Sequence, residues 1–320
     1  MTQKKSVPHE APEVDQGPGV LVVGSGWAGH AARALAGRKQ LAGLLSRGSP
    51  RSLELARELG APHFDDVGRA LATLGARRAI VAAGETRHGE LLGALVAHGL
   101  DVLCAHPVAP SADEVAASSA LGRAHGVKLL TDYTMRRTPE IEALVAAIGD
   151  DGPLLRLHVQ SPGRWLPIAL DLALLIGGPV REMESAWGWP HALTEQVRSS
   201  RAAFPPSLLL AHEAGVVTTW TPVTHMRTES PVRLVASMAR AAWTLDLPDG
   251  GATRVAIGRA GCEERACVAP TTARGSAPIL MAWARVALAF ASGDYRGLAT
   301  FDEEVERRRL WARIWRGAAP

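Results

Sequence analysis

Six residues near the start of the chain, Gly24-Ser25-Gly26-Trp27-Ala28-Gly29, constrain its fold more than any others. The spacing is G-x-G-x-x-G, which says little by itself. Its position gives it meaning. It follows Gly19–Gly24, an apolar run rich in β-branched residues that reads as a strand buried on both faces, and it opens a helical pattern from about Ala28 to Arg38. In that setting Gly24 allows a tight turn, Gly26 lets the backbone approach a pyrophosphate, and Gly29 permits close helix–strand packing. The helix N-terminus then offers N–H groups and a partial positive charge to phosphates. The competing reading is a glycine-rich turn without a ligand.

The following residues repeat the strand–helix alternation. Strands are expected at Leu41–Ser46, Arg78–Ala83, Asp101–Ala105 and Val127–Thr131. Helices are expected at Pro50–Leu59, closed by Gly60, and at Glu90–His98, closed by Gly99. A third is expected at Ser111–His125, with Ser111 as N-cap and Glu114 completing a capping box. Alternation with short connections predicts an α/β fold with a doubly wound parallel sheet of Rossmann type. After Pro139 the texture changes. A helix at Glu140–Ile148 precedes strand-like runs at Leu154–Gln160, Leu208–Ala211, Gly215–Thr221, Val232–Ser237, Ala242–Leu247 and Thr253–Gly258. Pro248-Asp249-Gly250-Gly251 reads as a hairpin turn, and helices at Ile279–Ser292 and Asp302–Arg316 close the chain. This half predicts an α+β domain with a mostly antiparallel open sheet. The organisation expected is a leader at 1–17, a nucleotide-binding domain at 18–137 and a substrate and dimerisation domain at 138–320.

Composition excludes several function classes. The net charge is +3, and the densest basic run, Arg307-Arg308-Arg309, stands among Glu303, Glu304 and Glu306. It reads as a solvated helix face, so no nucleic-acid partner is expected. Three cysteines, Cys104, Cys262 and Cys267, form no disulfide framework and no zinc spacing; Cys104 reads as a small core residue. The polar leader has no apolar signal segment and reads as disordered. The longest apolar stretches, Leu166–Gly178 and Ile279–Ala291, are interrupted by Asp171 and Arg285 and fall short of the ~20 residues that span a bilayer. A cytoplasmic protein without membrane partners is expected.

The second strand leads into Ser46-Arg47-Gly48-Ser49-Pro50-Arg51. A site for NAD would place Asp or Glu there to grip the ribose hydroxyl. Ser46, Arg47, Ser49 and Arg51 suit a 2′-phosphate instead, because a guanidinium pairs with phosphate bidentately. The expected cofactor is NADP(H); the other reading is an ordinary surface loop.

With these residues in place, the chain resembles the Gfo/Idh/MocA oxidoreductases. The resemblance rests on Gly24–Gly29, on Gly84-Glu85-Thr86-Arg87-His88, on Val102-Leu103-Cys104-Ala105-His106-Pro107, and on Arg136, Arg137 and Pro139. It covers the first half well and the second loosely. Most of that family has Glu-Lys-Pro where this chain has Ala105-His106-Pro107. Family sugar dehydrogenases also carry an Asp and a His where this chain has Arg164 and Ile168, ahead of Leu170-Asp171-Leu172. Both departures resemble one branch, the thiazolinyl imine reductases of siderophore assembly lines, although that branch has Glu where Ala105 stands. The resemblance implies NADPH-dependent reduction of a thiazoline C=N to a thiazolidine. It also implies a substrate tethered to a carrier domain of a nonribosomal peptide synthetase, and a homodimer.

Imine reduction needs hydride at carbon and a proton at nitrogen. His106, at the C-terminal end of a parallel strand, is the leading general acid; its other reading is a residue that closes the strand before Pro107. Tyr133 could donate instead, or be an aromatic packing residue, and Asp132 could orient either one. His88 and Pro107 are placed on the cofactor side with Ser25, Trp27 and Ala28 of the glycine loop. Trp165, Trp187, Trp189, Trp220 and Trp243 could stack on a flat substrate, though tryptophan in sheets more often serves a core or an interface. No metal is called for. The readings left open are a sugar or cyclitol dehydrogenase and a non-catalytic NADP-binding sensor or scaffold.

Overall fold

A computed structural model describes residues 19–83, 88–186, 207–223, 232–247, 254–259, 265–267 and 278–316. The expected leader, the hairpin turn at 248–251, Gly84–Arg87, Trp187, Trp189 and Cys262 lie outside the described residues.

The first layer alternates as the glycine motif demands. Its elements are β1 (Val20–Val23), α1 (Ala28–Ala36), β2 (Leu41–Leu45), α2 (Pro50–Leu59), β3 (His63–Phe64) and α3 (Val67–Leu74). They continue with β4 (Arg78–Val81), α4 (His88–Ala97), β5 (Asp101–Ala105), α5 (Ala112–Ala124) and β6 (Leu129–Asp132). Strands β1 to β6 pair in parallel in the order β3-β2-β1-β4-β5-β6. The order reverses between β1 and β4, and ligands bind outside the carboxyl ends of strands at such a switch point. Local chemistry sets the helix ends. Ser49, Asp66 and Ser111 cap α2, α3 and α5 by accepting from the backbone N–H of Ser52, Arg69 and Glu114. Gly60 closes α2 in the left-handed region at φ 59°.

A single 3-10 turn, Thr134–Arg137, leads into α6 (Pro139–Asp150) and the second layer. The remaining elements are β7 (Leu154–Ser161), α7 (Leu166–Gly177), β8 (Val180–Ala186), β9 (Ser207–His212), β10 (Val217–Pro222), β11 (Val232–Met238), β12 (Ala241–Leu247), β13 (Arg254–Arg259) and β14 (Arg265–Cys267). Their sheet order is β14-β13-β12-β11-β7-β10-β9-β8, antiparallel except for β7 with β10. Alternation sets the buried face: Val232, Leu234, Ala236 and Met238 of β11 and Trp243, Leu245 and Leu247 of β12 join Leu166, Leu170 and Ala173 of α7 in one core.

The chain then returns to the first layer. Helix α8 (Pro278–Ala291) lies on α1, and its Trp283, Val286 and Phe290 are buried in the same core as Ala28, Ala31 and Leu35. Strand β15 (Ala299–Thr300) adds antiparallel to β6, and α9 (Phe301–Arg316) follows at once. Phe301 and Val305 of α9 pack into the first layer's core, Leu310 and Ile314 into the second's. Both layers are therefore joined through α9, which brings its middle turn over the carboxyl ends of β5 and β6. No helix among the described residues is long and apolar enough to cross a membrane.

Candidate active site

Two cavities flank the switch point. The first, of about 380 Å³, is lined by Val23, Gly24, Ser25 and Gly26 of the glycine loop, by Leu45, Ser46, Arg47 and Ser49 after β2, and by Asp65, Val67, Ala82, Ala83 and Leu91. Gly24 sits at φ +112°, and a Cβ there would meet the Ala82 carbonyl oxygen at 2.4 Å. Only glycine serves there. Gly26 is different: a Cβ would meet nothing within 4 Å, so the loop leaves open space at its backbone. No side chain caps α1 and its first turn holds no acidic residue. This is a cradle fitted to a dinucleotide pyrophosphate.

Chemistry concentrates in the second cavity, of about 460 Å³. Its polar wall combines His106 after β5, Asp132 and Tyr133 after β6, and Glu304, Arg307 and Arg308 of α9. Its apolar wall includes Trp27, Pro107, Met135, Ile168 and Trp311. Trp27 stacks on Trp283 with centroids 5.9 Å apart, and its backbone oxygen accepts from the Trp283 indole at 3.1 Å.

Burial tunes each proton-bearing group. Asp132 is fully enclosed, and desolvation pushes its carboxyl up to about 7, against the hydrogen bonds from the Thr134 hydroxyl and the Trp27 indole that favour the ionised form. His106 lies beside Tyr133, centroids 4.9 Å apart. Both its ring nitrogens are buried without a hydrogen-bond partner. Desolvation, aided by Arg308 and Arg307 and opposed by Glu304, pulls the imidazole down to about 4. It is neutral at neutral pH. Tyr133 donates its hydroxyl to Glu304 Oε2 at 2.5 Å, while the Arg307 guanidinium sits 4.4 Å above its ring. Burial, with Glu304 next, raises the phenol well above its usual range.

Beneath the cavity lies a buried ionic cluster. Arg136 holds Asp171 at 2.7 Å and Glu303 at 3.1 Å. Arg307 Nε lies 2.6 Å from Asp171 Oδ1, and Arg308 Nε lies 2.9 Å from Glu304 Oε1. Asp171 and Glu304 are fully buried. Unpaired, such charges would be prohibitive; three cations against three anions make them tolerable. Among the described residues no group of His, Cys, Asp and Glu could hold a metal ion.

Comparison with known proteins agrees with this geometry. Residues 19–133 match the model of the Gfo/Idh/MocA family, described as an oxidoreductase family with an NAD-binding Rossmann fold. That match covers the first domain alone. Solved structures extend the likeness of fold to both domains. One is an Agrobacterium radiobacter oxidoreductase in complex with NAD+, L-tartaric acid and magnesium, at TM-score 0.73 and 15% identity over 93% of this chain and 95% of that one. Another is the UDP-N-acetylglucosamine 3-dehydrogenase of Acidithiobacillus ferrooxidans, at TM-score 0.69 and 18% identity over 93% and 95%. A third is the aldose-aldose oxidoreductase of Caulobacter crescentus, at TM-score 0.70 and 17% identity over 94% and 97%. No curated protein sequence matches the chain.

The residues singled out in the sequence are distributed unequally. Gly24, Ser25, Gly26, Ser46, Arg47 and Ser49 line the nucleotide cavity. His106, Pro107, Asp132, Tyr133 and Trp27 line the second. Ala28 and Gly29 are buried in the first turns of α1, and exposed Arg51 stands outside both linings. His88 also lines neither. It is buried behind them, with Nε2 2.8 Å from the Ala83 carbonyl and Nδ1 3.1 Å from that of Pro107, so it ties together the two loops that carry the walls. Trp220 and Trp243 are core residues whose indoles donate to Ser161 and Asp151. Trp165 packs against the second core.

The basic run of α9 requires a correction. Arg307-Arg308-Arg309 reads as solvated in the sequence, yet the Arg307 side chain is 4% exposed and Arg308 17%; only Arg309, at 59%, faces solvent. The physical reason is the return of α9 over β5 and β6, where Asp171 and Glu304 supply buried counter-charges. Glu304, Arg307, Arg308 and Trp311 are the α9 residues of the cavity that the sequence reading missed. Their i, i+3, i+4, i+7 spacing was the available signal.

Proposed function

We propose that this protein is an NADPH-dependent reductase of carbon–nitrogen double bonds, converting a thiazoline to a thiazolidine on an intermediate tethered to a carrier domain of nonribosomal siderophore-type biosynthesis. One observation carries the reading. A cavity with flat apolar walls, at the carboxyl ends of β5 and β6, joins a neutral imidazole and a phenol to a carboxyl that is half protonated at about pH 7. Trp27, Pro107 and Trp311 in its lining offer flat apolar faces on which a five-membered heterocycle would stack. In the other cavity, Gly24–Gly26 would hold the pyrophosphate, and Ser46, Arg47 and Ser49 the 2′-phosphate that favours NADPH over NADH.

A dinucleotide held there would supply the hydride that imine reduction needs at carbon. This chain's residues then have three tasks. The apolar walls orient the ring and exclude water. Asp132, with a pKa near the working pH, protonates the imine nitrogen. His106, neutral, donates a ring N–H toward that nitrogen; Tyr133, its proton committed to Glu304, is left as an acceptor for the N–H formed on protonation. Alcohol oxidation needs a base instead, and His106, held near 4, is a weak one.

The same reading includes a homodimer through the second sheet, where Leu155 and Leu209 are 52% and 39% exposed on strands β7 and β9, and a cytoplasmic location. The test is cofactor oxidation with a thiazoline, offered as a thioester mimic and on its carrier protein, with NADH as control. Consumption of NADPH and formation of thiazolidine support the reading. Oxidation of a sugar with NADP+ would replace it with a dehydrogenase. Tight NADPH binding without turnover of any substrate would replace it with a sensor.

A further inference from the structure

The basic wall of the cavity has more donors than the protein uses. Arg308 Nη2 and all three guanidinium nitrogens of Arg307 are buried, and none makes a well-formed hydrogen bond. Arg307 is held by ion pairs, at 2.6 Å to Asp171, 3.5 Å to Glu303 and 3.8 Å to Glu304, and by the face of the Tyr133 ring at 4.4 Å. Arg308 spends Nε on Glu304, at 2.9 Å. Its Nη1 reaches the Pro110 carbonyl only at 3.5 Å. Buried N–H groups without acceptors are costly, and proteins rarely keep them without a use. Both residues line the cavity, one helical turn from Trp311, so a flat ring against that indole carries its substituent toward the guanidinium wall.

Charge decides which substituent. Arg136, Arg307 and Arg308 are already matched by Asp171, Glu303 and Glu304. An added carboxylate would unbalance the cluster, whereas a neutral carbonyl oxygen would satisfy the free N–H groups without adding charge. We infer that Arg308, supported by Arg307, is an acyl subsite that accepts the carbonyl oxygen of a thioester or ester on the ring and discriminates against the free acid. The inference deepens the reading given under Proposed function by naming the substituent recognised.

The experiment compares the N-acetylcysteamine thioester of a thiazoline-4-carboxylic acid, the free acid, and the thiazoline lacking the acyl group. Wild type, Arg308→Lys and Arg308→Gln are assayed for NADPH oxidation. Binding is measured separately, without turnover, by quenching of indole fluorescence in the presence of NADP+, because Trp27 and Trp311 line the cavity. Wild type should prefer the thioester over both other compounds by about tenfold or more. Arg308→Lys keeps a cation beside Glu304 but lacks the second nitrogen, so it should fold, bind NADPH normally and lose most of that preference, chiefly through KM. A thioester preference that survives unchanged in both variants overturns the subsite, whether or not thiazolines turn over. So does a wild type that prefers the free acid. Thioester binding that weakens in Arg308→Lys without any reduction leaves the subsite standing and overturns the proposed reaction instead.

Discussion

The two cavities at the edge of the first sheet are built in opposite ways. The nucleotide cavity is built around one contiguous loop, Gly24 to Gly26, with Ser46, Arg47 and Ser49 after β2 and Asp65 after β3 on its wall. The second cavity is side chains, gathered from Trp27, Ala105–Pro107, Asp132–Met135, Pro167–Leu170 and Glu304–Trp311. The first depends on conformations and close approaches that glycine alone permits. The second depends on buried charges that are acceptable only in company. One should fail when shape changes, the other when charge changes.

The largest effect expected is within α9. Arg307→Ala leaves Asp171 short of a buried partner and should cost about 3–5 kcal/mol of stability. Arg309→Ala, two residues on but exposed, should stay within about 0.5 kcal/mol. Calorimetry of both variants breaks the comparison if the two behave alike.

Asp132→Asn comes next. It should slow imine reduction by about a hundredfold or more, in the range for loss of a general acid. The wild-type rate should fall as pH rises through about 7, and the variant should lose that limb. The substitution should change stability in the opposite sense to rate. Because the folded pKa is raised above the unfolded value of 3.8, the favourable contribution is complete below 3.8 and is lost as pH rises to about 7. Asp132→Asn should therefore melt higher than wild type at pH 8 and gain little at pH 4.

The nucleotide cavity supplies two smaller tests. Gly26→Val projects into open space, so it should leave the melting temperature unchanged while weakening NADPH binding by about tenfold or more, measured by titration. Gly24→Ala, by contrast, should lose both binding and stability. Arg47→Ala, at the exposed rim, should reduce the preference for NADPH over NADH by about tenfold, read from kcat/KM for each cofactor.

The same contrast explains what could be read from sequence. The strand–glycine–helix motif is contiguous, so its residues announced the parallel layer and the cradle. The end of β5 and the start of the 3-10 turn were equally local, which is why His106, Asp132 and Tyr133 were found together. Short pieces escaped: β3 is two residues long, and α3 has eight, with one buried. Strand β15 and the return of α8 and α9 to the first layer depend on contacts more than a hundred residues away, as when Arg78 donates to Tyr295 and Tyr295 to Asp101. No local period reports such pairing. Hence Glu304, Arg307 and Arg308 looked like a solvated helix while standing in the cavity wall.

The most direct test of the central claim follows the hydride itself. NADPH deuterated at the transferable position of the nicotinamide is given to the enzyme with the thiazoline thioester, and the product is examined by mass spectrometry and NMR. The expected product is a thiazolidine carrying the label on the carbon of the former C=N bond, with an unlabelled solvent proton on nitrogen. A cofactor that stays bound and keeps its label in the presence of the thioester, with no labelled thiazolidine formed, would contradict the claim.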